Sequence, residues 1–390
     1  MRKTDKIQLA STDQCTGCAV CASVCSFHAI SMIKGEMGHF YPDIDTNKCI
    51  ECGRCKTVCP EFNRVDLYPI RKAYAAWAKD KDEYQSSVSG GVASVLSRYI
   101  IRQNGVVYGC AMLPDIEVKH IRIDKEEDLA LLKGSKYVQS DISYTIPQLK
   151  NDVRENKKVL FIGTPCQVAA IRRLYKEQPA NLYLVDLICH GVPSLHTLKR
   201  HIHKVAASNS YHNISFRSKC NYCLEVTNGD DTIYSKPLKP YILGEDTYLG
   251  TFYHGYTFRD SCYSCQYADS LRVGDITIGD FWGLGNEASV DYIKEHPFGC
   301  SVVLPCTEHG EDLFQAVSEK LYCYERPISE AVNGNTQLKH PFVKTTKIKI
   351  FRAAQRYGYH PALYQILNVD VFIKYLIMRV VRKSKKIFDL

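Results

Sequence analysis

From Ala73 onward the chain alternates short apolar runs with stretches of helical period, separated by Gly, Pro and charged intervals. Y-A-A-W-A predicts a strand. The following Y-Q-S-S-V-S-G-G-V-A-S-V-L-S-R-Y predicts a Ser/Gly-rich turn opening a helix, with Val88, Val92, Val95, Leu96 and Tyr99 on one face and Gly105 at its end. G-V-V-Y-G-C-A-M reads as a buried strand. Two strand–turn–helix units follow. K-V-L-F-I-G leads through T-P-C into Q-V-A-A-I-R-R-L, with Thr164 as cap and Pro165 as first helical residue. L-Y-L-V-D-L-I ends at C-H-G-V-P-S, with Ser194 capping the next helix. Further on, I-T-I lies between two Gly-Asp pairs, where Asp275 and Asp280 read as turn formers; C-S-V-V-L and E-D-L-F-Q-A-V add a strand and a helix. The pattern predicts an α/β (α+β) core on a parallel or mixed sheet, over 73–345. Residues 61–72 read as a linker before it, and 346–390 as a basic helical tail.

The N-terminal 1–63 has a different texture. Cys15, Cys18, Cys21 and Cys25 form C-x2-C-x2-C-x3-C, and Cys49, Cys52, Cys55 and Cys59 repeat it 34 residues later. This duplicated spacing is that of bacterial-type ferredoxins holding two 4Fe-4S cubanes, in which the fourth cysteine of each run serves the other cluster. The expected sets are Cys15, Cys18, Cys21 and Cys59, and Cys49, Cys52, Cys55 and Cys25. Zinc leaves the third closely spaced cysteine unexplained. Pro60 follows the second run, but Ser26 stands where the first would carry its proline. Apolar segments around K-G-E-M-G-H predict a β-hairpin between the runs.

Composition narrows the setting. With 390 residues, 45% hydrophobic and 24% charged, the chain reads as an ordinary globular protein of two or three domains. It shows neither a signal-peptide h-region nor an 18-residue apolar run, so the expectation is a reducing cytoplasmic setting. The net charge of +8 is concentrated in the tail: Lys344 to Leu390 carries eleven Lys/Arg against two Asp, +9, leaving −1 for the rest. Nucleic acid is not an expected partner, since no groove-reading fold surrounds the basic run. An apolar stretch leading into Arg379, Arg382, Lys383, Lys385 and Lys386 reads as a docked terminal helix, with peripheral membrane contact as the alternative.

Four more cysteines fall where ligands gather in open α/β sheets, just past strand ends or in a C-x2-C pair: Cys166, Cys189, Cys262 and Cys265. Four thiolates are enough for a third cubane, with zinc as the rival; Cys166 and Cys189 read alternatively as buried small hydrophobes, and Cys220 and Cys223 are competing donors. Cys110, Cys300, Cys306 and Cys323 read as core. Ser87, Ser89, Gly90 and Gly91 at a helix start suit a phosphate, though Ser and Gly also serve there as plain caps. Lys136 would add charge to that site or lie in solvent. His190 reads as a proton donor or as a hydrogen-bonded turn histidine.

Taken together, S-S-V-S-G-G, G-S-K-Y-V-Q-S, F-I-G-T-P-C-Q, D-L-I-C-H-G-V-P-S, S-C-Y-S-C and G-D-I-T-I-G-D-F-W-G resemble the coenzyme F420 hydrogenase/dehydrogenase beta-subunit family, from about Ala73 to about Pro341. The resemblance implies a flavoprotein core binding FAD, with a third 4Fe-4S cluster on Cys166, Cys189, Cys262 and Cys265 beside the flavin. It makes Ser89, Gly90, Gly91, Ser135, Lys136, Tyr137, Gly163, Thr164 and Gln167 flavin-site candidates, and leaves Cys220 and Cys223 out. It implies an oxidoreductase exchanging electrons with ferredoxin or another redox protein, and hydride with a deazaflavin or another small substrate. For reduction of a carbon–carbon or carbonyl bond, His190 would supply the proton. The alternative is an electron-transfer subunit whose partner holds the active site.

Overall fold

The fold is that of a computed structural model, which describes residues 9–206, 213–218, 221–238, 245–369 and 373. The expectations for Cys220 and for the basic end of the tail therefore fall outside the described residues.

Thirteen strands are described: β1 (Ile30–Lys34), β2 (Phe40–Ile44), β3 (Ala73–Ala78), β4 (Val106–Leu113), β5 (Glu117–Ile123), β6 (Val159–Gly163), β7 (Leu182–Leu187), β8 (Asn213–Ser218), β9 (Asn221–Asn228), β10 (Asp231–Pro237), β11 (Ile276–Asp280), β12 (Ser301–Pro305) and β13 (Leu321–Arg326). Eight build one mixed sheet in the order β13-β3-β12-β11-β7-β6-β4-β5. Its centre, β11-β7-β6-β4, is parallel, and its flanks are antiparallel. Successive residues of the central strands are apolar because both faces are covered. Val107, Leu160 and Val185 face one core with Leu96 and Ile100 of the helix Val92–Arg102 and Phe314 of the helix Glu308–Val317. Val106, Phe161 and Leu184 face the other, with Leu149 of Thr145–Arg154 and Val168 of Pro165–Arg172.

The helix after the Ser/Gly turn begins at Val92, so Val88 lies before it. Gly91 is its left-handed cap (φ 77), and Asn104 takes the left-handed position at its end. Thr164, Pro165 and Ser194 occupy the cap and first-turn positions that their sequence predicts. Two elements carry no clear sequence signal. The antiparallel sheet β10-β9-β8 packs Phe216, Leu224 and Val226 on Leu198 and Tyr248, and β5 edges the main sheet. The segment 61–72 is no free linker: Tyr68 bridges to Arg272 in both directions, and the Arg71 N–H donates to the Pro305 carbonyl.

The predicted hairpin is β1–β2. The N-terminal module rests on the main body through the core itself: Val20 and Val24 belong to the same apolar cluster as Ile146, Leu149 and Val168. The hairpin tip adds polar anchors. Ser194 Oγ donates to the Met37 carbonyl at 2.6 Å, and His39 Nε2 to the Val192 carbonyl at 3.0 Å.

Candidate functional site

The module gathers its cysteines in two places. Cys25, Cys49, Cys52 and Cys55 line one cavity of about 330 Å³. Cys15, Cys18, Cys21 and Cys59 lie within electrostatic reach of one another: burial raises the Cys18 thiol well above its ordinary value and Cys21 to about 12, and the neighbouring sulfurs add to both shifts. Sulfurs so crowded and desolvated would ionise only around a cationic core. That donor set fits an iron–sulfur cluster. Four sulfurs around one zinc would sit within ~4 Å of each other. Among the described residues, no three Cys, His, Asp or Glu side chains gather closely enough for a single ion.

The second cysteine constellation is assembled from three segments. Cys166 sits in the first turn of its helix after β6, Cys189 just past β7, and Cys262 and Cys265 in or beside the 3-10 turn Asp260–Ser264. Burial raises all four thiols, Cys166 to about 11 and Cys262 to about 12. Cys189 is raised further by Cys262, Cys166 and Cys265. Thr164 Oγ1 lies 3.3 Å from the Cys166 sulfur. A buried ion pair holds the segments in place. Asp186, fully buried near the end of β7, accepts from Arg272 Nη2 at 2.8 Å and from Thr277 Oγ1 at 2.6 Å. Arg272 also donates to the carbonyls of Tyr267, Asp269 and Leu187, tying the segment after Cys265 to the strand before Cys189. The signal was present in L-Y-L-V-D-L-I, where a carboxylate in a buried strand requires a partner. Asp275 likewise serves structure, accepting from Arg172, Gln178 and the Leu184 N–H.

A cavity of about 1140 Å³ opens at the carboxyl ends of β6, β7 and β11, where open α/β sheets bind ligands. It is larger than a typical drug-sized pocket and suits a dinucleotide-sized ligand. Cys189 and His190 are in its wall, as are Ser87, Ser89, Gly91, Ser135, Lys136, Tyr137, Gly163, Thr164 and Gln167. The helix Val92–Arg102 starts in the same wall without a side-chain cap. Such a start leaves N–H groups for an anion. Arg217 Nε, also in the wall, is buried with no hydrogen-bond partner among the described residues. An orphan donor, an open helix start and apolar walls fit a phosphate-bearing cofactor.

Individual candidates resolve differently. Gly90 does not line the cavity: a Cβ there would lie 2.1 Å from the Ala76 carbonyl, and its N–H donates to Ser301 Oγ, so its smallness serves packing. Lys136 is neither solvated nor free; its ammonium donates to the Leu132 and Lys133 carbonyls and closes a short helix end. Gln167 accepts from the Thr164 N–H and hydroxyl and donates to Ser140, which bonds His120. Tyr137 stacks on Phe252, ring centres 4.6 Å apart. His190 has both nitrogens engaged, Nε2 donating to the Tyr253 carbonyl at 2.9 Å and Nδ1 accepting from Gln337 at 2.7 Å; burial lowers its pKa. This is the environment of a neutral, fixed turn histidine. Cys300 and Cys306 are buried, whereas Cys110 lines the cavity. Buried Cys223 contacts Ser235 within the small sheet.

Module, core cysteines and cavity are contiguous. Cys18, Cys166 and Cys265 pack against one apolar cluster, and Tyr267 feels all three sulfurs. Such an arrangement sets a cysteine-rich module against an α/β core that carries its own cysteine set and cavity. Residues 156–331 match the C terminus of the coenzyme F420 hydrogenase/dehydrogenase beta subunit, and residues 14–63 a 4Fe-4S dicluster domain; a second dicluster model matches 41–111. Over residues 156–331 the chain is similar to that family, and a 4Fe-4S dicluster module lies at its N-terminal side. It is 24% identical over 377 residues to the uncharacterized protein MJ1349 of Methanocaldococcus jannaschii, covering 88% of this chain and 98% of the relative. A chain of the F420-reducing [NiFe] hydrogenase complex from Methanosarcina barkeri is similar at 19% identity and a TM-score of 0.48, over 75% of this chain and 91% of that one. Among the described residues no helix is long and apolar enough to cross a membrane.

Proposed function

We propose that the chain is an iron–sulfur flavoprotein oxidoreductase that holds FAD in the large cavity and a third 4Fe-4S cluster on Cys166, Cys189, Cys262 and Cys265. The single observation carrying this reading is that Cys189 stands in the wall of a cavity that also receives an uncapped helix start and an unpartnered arginine nitrogen. Iron–sulfur clusters supply one-electron transfer, and a flavin supplies exchange between single electrons and hydride. The protein's part is placement. Gly91 and the first turn after it would take a phosphate, Tyr137 and Phe252 give an aromatic wall, and the Asp186–Arg272 pair fixes the segments that carry the cysteines. The substrate is coenzyme F420 or another reducible small molecule, and the outward electron partner is ferredoxin or a similar redox protein.

A second reading, an electron-transfer subunit serving a partner's active site, is favoured by the exposure of Cys52 at the outer face of the module. One anaerobic sample separates the two. About twelve iron atoms and one FAD per chain are expected, three cubanes at four irons each. Bleaching of the visible spectrum, with turnover, by reduced deazaflavin, nicotinamide or ferredoxin in the isolated chain supports the enzyme. Cofactors without turnover support the electron-transfer role, and absence of flavin on denaturation sinks the flavoprotein.

A further inference from the structure

Arg259 is among the largest fully buried side chains and stands where module and body meet. Its Nε donates to the Cys15 carbonyl at 2.5 Å, and Nη2 donates to the Phe40 carbonyl at 2.8 Å and toward the Cys15 sulfur at 3.6 Å. Nη1 donates to Gln139 Oε1 at 3.2 Å, and the Tyr41 ring lies 4.2 Å from the guanidinium carbon. Among the described residues no carboxylate lies within ion-pair distance of it. Asp260, next in sequence, is taken by Lys344 and Arg352. A buried guanidinium without a counter-ion is strongly unfavourable. The negative charge within its reach would be that of the Cys15 sulfur, 3.6 Å from Nη2, once that sulfur serves as a cluster ligand.

The repeat gives the internal control. Gly17 lies beside Arg259, and a Cβ there would come within 2.5 Å of Nη1. Its counterpart 34 residues on is Glu51, exposed and left-handed at φ 58. The same place in the two halves thus holds a buried cation in one and a solvated carboxylate in the other. Reduction potentials of such clusters follow net charge, hydrogen bonds to sulfur and solvent exposure. Burial alone would make the Cys15 site the harder to reduce, because the added electron is a negative charge away from water. Arg259 opposes that.

We propose that Arg259 sets the order of reduction within the module: its cation makes the site of Cys15, Cys18, Cys21 and Cys59 easier to reduce than the outer site of Cys25, Cys49, Cys52 and Cys55. The inference rests on the dicluster part of the proposed function. It gives Arg259 a positioning and tuning role, with a single added electron residing preferentially on the side that faces the core cysteines.

EPR-monitored redox potentiometry on the full chain, loaded anaerobically, tests it. In the wild type two module signals are expected, and Glu51→Lys should move only the one reduced last, making it easier to reduce by about threefold for a screened surface charge. Arg259→Gln should cost the first-reduced site at least about tenfold in its share of the electron, ~59 mV for one electron, and bring the two sites level or reverse them. Arg259→Lys should recover part of this. Wild-type iron content with both midpoints unmoved in Arg259→Gln overturns the inference, as does a Glu51→Lys shift in the signal reduced first. Should Arg259→Gln fail to load, the wild type and Glu51→Lys decide by themselves, since Glu51 is exposed. Module sites without iron would instead sink the dicluster reading, and metal assay tells that failure apart.

Discussion

The two halves of the cysteine repeat share their ligand spacing and little else. Between its first and last cysteines the first half reads T-G-C-A-V-C-A-S-V, the second I-E-C-G-R-C-K-T-V. Val20 is fully buried in the body's core, while its counterpart Arg54 is exposed; Ala22 and Ser23 are half-buried, while Lys56 and Thr57 are exposed. Phe27 and Ile50 are exposed beside the outer cavity. The spacing of thiols fixes what can be held. The residues between them decide which site is sealed against the body and which is left open to a partner.

The comparison can be broken most severely at the cysteines themselves. Cys18→Ala and Cys52→Ala should each lower the iron content by about four atoms. Only Cys18→Ala should also expose the module to limited proteolysis, because Cys18 packs on the shared core. Equal protease resistance in the two variants would contradict the asymmetry. Next in size, Val20→Ala should cost about 2 kcal/mol by leaving a cavity, whereas Arg54→Ala should stay within about 0.5 kcal/mol; denaturant unfolding of the loaded chain measures both. The smallest effect concerns pH. Burial, aided by Arg259, lowers His39 from 6.5 to about 3. The unfolded chain therefore binds this proton more readily than the folded one. The neutral histidine contributes fully above pH 6.5, and stability falls on acidification at up to ~1.4 kcal/mol per pH unit between 6.5 and 3. His39→Gln, which keeps a donor for the Val192 carbonyl, should flatten the stability profile between pH 7 and 5.5; an unchanged slope would assign the acid sensitivity elsewhere.

Much of the body was legible in the sequence. β3, β4, β6, β7, β11 and β12, with the helices capped by Thr164 and Ser194, follow apolar runs and cap residues a few positions apart. The small sheet β8–β10 was not, because its strands are rich in Asn, Ser and Thr and bury few residues each. The candidate cavity was legible as a set of motifs, but the work of its members was not. Lys136 and Gln167 sit in the wall while spending their polar groups on helix ends, and Gly90 turns away from it.

The duplicated thiol spacing, the alternation of strands and helices, and the family resemblance are all readable from the sequence by itself, because each is written in short-range periods and local chemistry. It takes the assembled fold to bring the segments around residues 166, 189 and 262 together, to pin 61–72 to the body, and to carry Arg259 to Cys15 across 244 positions. Spacing specifies which groups a stretch can offer. Which distant group meets them depends on burying apolar surface over the whole chain, a balance that no local window contains.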